Sequence, residues 1–403
     1  MTMATSAVET RAPEIAIAAA RALHVLTLTP FYPHAADDAE GCFVAEPLPL
    51  LESAGVHHTV TAVQPFYRGK RTTPSGAQAA NHISYKAWPG GLGLSSAGRF
   101  LFHEICSRVE RIHQNRKIDL IHAHGPLPCG DAARELGNVL QVPFVVSVHG
   151  LDVMSSRQVG GTAGRWCREK SSKVYASADR VICVSHHVRE CLQREMGENI
   201  RASVVFNGVD PVRFTPQTDD NSASPIIVSV GNLIPIKGHE TLLRAFAEVS
   251  RKRPEVRCHI IGQGPLKASL EKLAAELGIS YQVRFLGRQS RSAVARALQE
   301  CTIFALPSTF EALGCVYLEA MACGKPAIGC RHQGIEEIIE DGFNGVLIES
   351  DDVSSLACQL QRFLDDPELR RRVGDAARTT VLENLTLQHQ AVRLAEIYRE
   401  CVA

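Results

Sequence analysis

Two doubly wound α/β domains joined by a polar linker are the fold this sequence predicts, on three observations. The chain has 403 residues, enough for two domains that each enclose a core. It opens twice in the same way, with an apolar strand, a loop, a helix and a second strand, at Ala22 and again at Pro225. Between the two openings, residues 216–224 are polar and show no apolar period. Strands alternating with helices imply a largely parallel sheet in each half. The predicted division is a flexible leader over 1–21, an amino-terminal domain over 22–215, the linker over 216–224, a carboxyl-terminal domain over 225–386 and a last helix over 387–403.

The leader contains Glu9 and Glu14 and has no apolar centre of the kind a secretory signal needs. Ala22–Thr29 is an apolar strand. A helix is predicted around Phe43–Ala54, with Pro47 and Pro49 in its first turn or delaying its start, and His58–Val63 is the second strand. In the other half Pro225–Gly231 is a strand, followed by a helix from about Gly238 to Arg251 and a strand at His259–Ile261. Thr302–Leu306 reads as a buried strand, with a helix starting near Gly314. The last helix, Leu387–Cys401, spaces Ala391, Leu394, Ile397 and Tyr398 helically.

Composition narrows the function. Lysine plus arginine and aspartate plus glutamate number 43 each, which predicts no nucleic-acid partner. The 13 cysteines are odd in number, scattered and without a Cys-x-x-Cys, so buried thiols in a reducing cytoplasm are expected. No apolar stretch reaches the roughly eighteen residues that a membrane span needs, and a soluble, cytoplasmic protein is expected.

The chemistry concentrates in Pro307–Pro326. Glu311 and Glu319 stand eight positions apart around a glycine-containing turn. A helix starting at Gly314 offers free N–H groups and a positive dipole end to an anion. Eight residues of helix rise about 12 Å, so a phosphate there would lie between the carboxylates. Lys237, just past a strand and followed by Gly238, suits a diphosphate as a flexible point charge. Gly262-Gln-Gly264 reads either as a close-approach turn near a nucleotide or as a plain tight turn. His149 follows the strand Pro143–Val148, and His122 and His124 end another; the carboxyl ends of parallel strands are where such domains build sites. A third metal ligand beside His122 and His124 is not evident, so no metal is predicted.

The pattern Pro-Ser-x-x-Glu-x-x-Gly-x-x-x-x-Glu-Ala-Met-Ala-x-Gly-x-Pro from Pro307 resembles the signature of retaining glycosyltransferases of family 4. These are GT-B enzymes, with two Rossmann-like domains facing across a cleft and a terminal helix that crosses back to the amino-terminal domain. The resemblance runs from about residue 23 to 400, dense in the second half and patchy in the first. It implies a nucleotide-diphosphate sugar, UDP- or GDP-linked, as co-substrate, a glycan or lipid-linked hydroxyl acceptor, and no cofactor. By resemblance Glu311 contacts the sugar ring, Glu319 holds the ribose hydroxyls, and the turn Leu313, Gly314, Cys315 and Val316 meets the phosphates. Lys237 grips the diphosphate, but Asn232 stands where the family usually has an arginine. Phe285–Arg288 resembles the segment that meets the base. Gly41 resembles the first-loop glycine that approaches the donor, an approach that a Cβ would hinder. His149, in a His-Gly-x-Asp pattern that ends at Asp152, would face the sugar, with His122, His124 and Asp152 on the acceptor side. Whether the route is front-face or a double displacement stays open.

No acidic residue lies between Glu52 and Glu104, whereas Arg68, Lys70, Arg71, Lys86 and Arg99 do. The amphipathic helix Arg99–Ile112 follows. Two readings stand: a face that rests on anionic lipid at the inner side of the cell membrane, or a core-facing helix with a solvated basic side. Competing functions are a non-catalytic nucleotide-sugar sensor or scaffold, in which Asn232 marks lost activity, and a GT-B-type sugar-nucleotide epimerase.

Overall fold

The computed structural model describes residues 21–33, 35, 37–68, 80–89, 91–150, 152, 159–217 and 224–403. The leader over 1–20, linker residues 218–223, and Lys70 and Arg71 of the basic stretch lie outside the described residues. The amino-terminal sheet contains β1 (Leu23–Thr29), β2 (Val56–Pro65), β3 (Ala80–Tyr85), β4 (Leu120–His124), β5 (Phe144–Val148), β6 (Arg180–Cys183) and β7 (Ala202–Val204). Its order is β3-β2-β1-β4-β5-β6-β7, and every pair is parallel. Helices α1 (Cys42–Ala45), α2 (Leu48–Ser53), α3 (Gly91–Asn115), α4 (Asp131–Leu140), α5 (Gly161–Ser177) and α6 (His186–Met196) cover it. All seven residues of β1 are buried, as a strand covered on both faces requires.

The second sheet contains β8 (Ile226–Val230), β9 (Arg257–Ile261), β10 (Val283–Gly287), β11 (Ile303–Ala305), β12 (Ala327–Cys330) and β13 (Val346–Ile348). Its order is β10-β9-β8-β11-β12-β13, again parallel. Helices α7 (His239–Lys252), α8 (Lys267–Glu276), α9 (Arg291–Glu300), α10 (Cys315–Ala322), α11 (Val353–Asp365) and α12 (Pro367–Asn384) flank it, and α13 (Leu387–Val402) ends the chain. Each sheet reverses its winding beside its first strand, at β1/β4 and at β8/β11. Crevices open there at the carboxyl ends of the strands, and the two crevices face each other.

Three details differ from expectation or decide between readings. The helix predicted over 43–54 is two pieces, because Pro47 has no N–H for the helical ladder; Glu46 sits at the break. Ala97, Leu101, Ile105 and Val109 of α3 are at most 2% exposed, so that apolar face packs on the core and not on lipid. Helix α13 does return to the amino-terminal sheet: Tyr398 Oη bonds His122 Nδ1 at 2.7 Å, and Arg399 donates to the Ala54 carbonyl at 2.8 Å. Among the described residues no helix is long and apolar enough to cross a membrane.

Candidate active site

On the carboxyl-terminal side, β8 and β11 deliver the charged groups. After β8 the chain passes Gly231 and Asn232 into a short 3-10 turn, Pro235–Lys237, that ends on Gly238. The Lys237 stem lies against Gly231, 3.6 Å from where a Cβ there would stand. After β11 the chain turns through Glu311 into α10. Lys237 Nζ and Glu311 Oε2 form an ion pair at 2.5 Å. The Gln333 side chain fixes the turn by accepting the Glu311 N–H at 3.0 Å.

Gly314 precedes α10 with φ +84, and a Cβ there would fall 2.5 Å from the Tyr317 ring and 2.9 Å from Glu311 Cγ. Both the left-handed backbone and the close packing therefore require glycine. The Tyr317 hydroxyl anchors the helix by donating to the Leu306 carbonyl. The first N–H groups of α10, around Cys315 and Val316, have no carbonyl one turn earlier, and they lie at the end of the segment that carries Glu311. Leu313 is buried beneath this turn. Burial pushes the Cys315 thiol up to about 11, and Asn207 Nδ2 donates to its sulfur at 3.3 Å.

Glu319 is tied into a buried ionic cluster. Arg291 Nη1 meets Glu319 Oε1 at 2.5 Å. The same guanidinium donates from Nε to Glu46 Oε1 at 2.9 Å and from Nη2 to Glu46 Oε2 at 3.0 Å. Arg213 joins Glu46 Oε1 at 2.9 Å, and the Phe214 ring lies 4.6 Å under the guanidinium. Burial raises the Glu319 carboxyl and Arg291 opposes it, with the net shift upward. For Arg291, burial works against the charge, but Glu319 and Glu46 outweigh it and hold the cation.

Between the two sheets is a cavity of about 500 Å³, lined by Phe31, Gly41 and Phe43 on one side and by Gly231, Asn232, Gly262, Gln263 and Arg288 on the other. That volume suits a small-molecule ligand. Asn232 and Arg288 thus face one space. Arg288 bonds Asp38 at 2.6 Å and Glu40 at 3.0 Å across the cleft. Gly41 has φ +74, and a Cβ there would meet the Tyr32 backbone at 2.6 Å, so its own chain already demands glycine. A Cβ on Gly264 would meet the Leu233 carbonyl at 2.3 Å, which makes Gly264 a loop-packing residue beside the cavity-lining Gly262 and Gln263.

The amino-terminal side presents histidines. His124 Nδ1 and His149 Nε2 are 3.0 Å apart, with ring planes within 9° of parallel. The His122 ring lies beside His124, centroids 4.4 Å apart and planes tilted by 31°, and bonds Ser147 at 2.7 Å; His58 bonds Thr27 at 2.9 Å. Desolvation pushes His58 and His122 down to about 3, His149 to about 4, and His124 well below its ordinary value. All four are neutral at physiological pH. Asp152 accepts the His149 and Gly150 N–H groups at 3.0 and 2.8 Å, so it shapes the loop that carries His149. That loop reaches the other domain: a Cβ on Gly150 would stand 2.6 Å from Ala312 Cβ.

Sequence reasoning missed Glu46, Arg213, Arg291 and Glu337. Glu337 takes the N–H groups of His186 and His187 at 2.8 and 2.5 Å across the domains. One signal for Arg291 was available: a cation at the first position of α9 opposes the helix dipole and so calls for a distant counter-charge.

Comparison with known proteins converges on one family. Residues 213–380 match the model "Glycosyl transferases group 1", and residues 8–213 match "Glycosyltransferase Family 4". The GDP-mannose-dependent monoacylated alpha-(1-6)-phosphatidylinositol monomannoside mannosyltransferase of Corynebacterium glutamicum is 31% identical over 307 residues, 72% of this chain and 78% of that protein. Among solved structures, sucrose-phosphate synthase from Thermosynechococcus elongatus superposes with a TM-score of 0.76 at 22% identity, covering 94% of this chain and 98% of that one. HepE of Anabaena in complex with UDP-glucose does so with a TM-score of 0.70 at 18% identity, covering 94% and 100%.

Proposed function

This chain belongs to glycosyltransferase family 4 and folds as a GT-B glycosyltransferase, and on that premise we propose that it moves a sugar from a UDP- or GDP-sugar to an acceptor hydroxyl, with retention at the anomeric carbon and without a metal. The observation that carries the reading is the Lys237–Glu311 pair at the amino-terminal end of α10, beside the interdomain cavity. In the reaction the C1–O bond to the diphosphate breaks and a bond from C1 to the acceptor oxygen forms on the same face. The acceptor proton passes to the departing phosphate oxygen. Lys237 and the free N–H groups of α10 stabilise the negative charge that develops on the leaving group. Glu311 stabilises the positive charge on the sugar ring, and Glu319 holds the ribose. His149, neutral, hydrogen-bonds a sugar hydroxyl. The front-face route is favoured over a double displacement because Glu311 Oε2 is held by Lys237 at 2.5 Å, which blunts it as a nucleophile.

The acceptor belongs to glycan or lipid-linked chemistry, in polysaccharide or cell-envelope assembly at the cytoplasmic face of the membrane. The support is an aromatic and basic surface at the β2 and β3 ends. Phe66, Tyr67, Trp88 and Phe100 are exposed together with Arg68, Lys86 and Arg99, a composition suited to an anionic lipid interface. A relative named for a phosphatidylinositol mannoside acceptor points the same way.

The test is a titration panel of UDP- and GDP-sugars on the full chain and on Glu319→Ala. One donor should bind the wild type and lose at least about tenfold in the variant, the scale of a lost charge-assisted hydrogen bond. If no nucleotide-sugar binds, the reading fails and the non-catalytic scaffold alternative moves ahead.

A further inference from the structure

We propose that Arg291 and Glu46, one from each domain, are positioning residues for Glu319, so that the donor site's ribose carboxylate becomes competent only when the domains close. The inference rests on reading Glu319 as the group that holds the ribose. It follows from how one guanidinium is shared. Arginine offers carboxylates a two-pronged edge, the geometry they prefer. Glu46 occupies that edge through Nε at 2.9 Å and Nη2 at 3.0 Å. Glu319 receives only Nη1, through the single oxygen Oε1 at 2.5 Å. Its other oxygen is left for a hydroxyl. With Glu46 withdrawn, the fork is free to close on both oxygens of Glu319, and no acceptor remains for the ribose.

The surroundings fit a device of this kind. Arg213 also grips Glu46, at the same Oε1 that Arg291 Nε meets, at 2.9 Å, and the Phe214 ring centroid lies 4.6 Å from the Arg291 guanidinium. Two cations balance two anions. Arg291 is 5% and Glu319 4% exposed, so loss of one partner leaves a charge that water reaches poorly. Glu46 follows the first loop by way of α1, and that loop's Asp37 carbonyl accepts the Arg291 N–H at 2.8 Å. The Asp37 carboxylate takes the Ser292 N–H and hydroxyl at 2.9 and 2.7 Å. The carboxylate that sets Arg291 therefore arrives with the whole junction. The position of Arg291 at the start of α9, against the dipole, is a cost that helix stability does not explain.

The experiment is a double-mutant cycle on the full chain, read as the Kd of UDP and of GDP by calorimetry, with the thermal midpoint of each apo variant. Glu46→Ala should weaken the nucleotide that binds by about tenfold. In an Arg291→Met background the same substitution should cost less than about twofold, because Glu46 acts through Arg291. A purely structural Glu46 would give the same loss in both backgrounds, and that result overturns the proposal. Glu46→Gln replaces Glu46→Ala if the latter does not fold. Glu319→Gln separates the two levels. If it weakens binding while Glu46→Ala does not, the coupling alone is wrong. If it binds as wild type does, or if the wild type binds neither nucleotide, the ribose reading is wrong and the coupling goes with it.

Discussion

The two faces of the cleft are made of opposite materials. The carboxyl-terminal face holds ion pairs, Lys237–Glu311 and Arg291–Glu319. The amino-terminal side holds histidines that burial keeps uncharged, grouped around a smaller cavity of about 30 Å³ behind the cleft, with His149 partly exposed. The difference matches the chemistry proposed for each. A departing diphosphate and a cationic sugar ring develop charge, and preorganised charges answer it. A sugar's hydroxyls are neutral, and the neutral His149 imidazole would meet one of them through Nδ1, since Nε2 is engaged by His124. Charge is common to both sides where Glu46 crosses to Arg291 and where Arg288 meets Asp38 and Glu40.

The largest effect is expected on the charged face. Lys237→Ala should lower kcat by about 10²–10³-fold, the scale of losing one oxyanion-type stabiliser, measured in a donor-consumption assay. Glu311→Gln should lower kcat steeply while leaving the affinity for free UDP or GDP within about twofold, because its partner in the reaction is the sugar. Across the cleft, His149→Ala should cost about tenfold in kcat/KM with nucleotide affinity unchanged. If His149→Ala instead weakens UDP or GDP binding, the division of labour between the faces is wrong.

The histidine face also predicts a pH dependence of stability. His58, His122 and His149 titrate near 3 to 4 in the fold but at about 6.5 when unfolded. Between those values the unfolded chain binds more protons, so stability is full above about pH 6.5 and falls as pH drops towards 4. Each histidine contributes up to about 1.4 kcal/mol per pH unit in that window. The Tm should therefore decline from pH 7 to pH 5, and His122→Gln should flatten that decline. The smallest effect is a gain: Asn232→Arg adds a cation to the cavity wall and should tighten the diphosphate by about three- to tenfold.

How much was legible in the chain divides along the same line. Lys237 and Glu311 follow strand ends and Glu319 lies inside α10, in short segments whose spacing already implies a helix start and a turn. The cluster around Arg291 was not legible, because Glu46 and Arg291 are 245 positions apart and meet only when the domains do. Pro47 warned of a broken helix, but not that the break would carry Glu46 to the interface. His122, His124 and His149 were visible one by one. Their grouping depends on the pairing of β4 with β5, and His58 joins from β2, where nothing local sets it apart from His57. The α3 helix shows the converse: its pattern was plain, and only packing decided that the apolar side meets the core.

The most direct test of the central claim is to watch the anomeric proton by NMR while the full chain, free of added metal and with chelator present, consumes the donor that the titration panel selects. An α-linked donor should give a product, or initially released sugar, that is also α-configured, with Lys237→Ala nearly inert under the same conditions. A β-configured product, or turnover unaffected by removing the Lys237 amine, would contradict the charged-face mechanism.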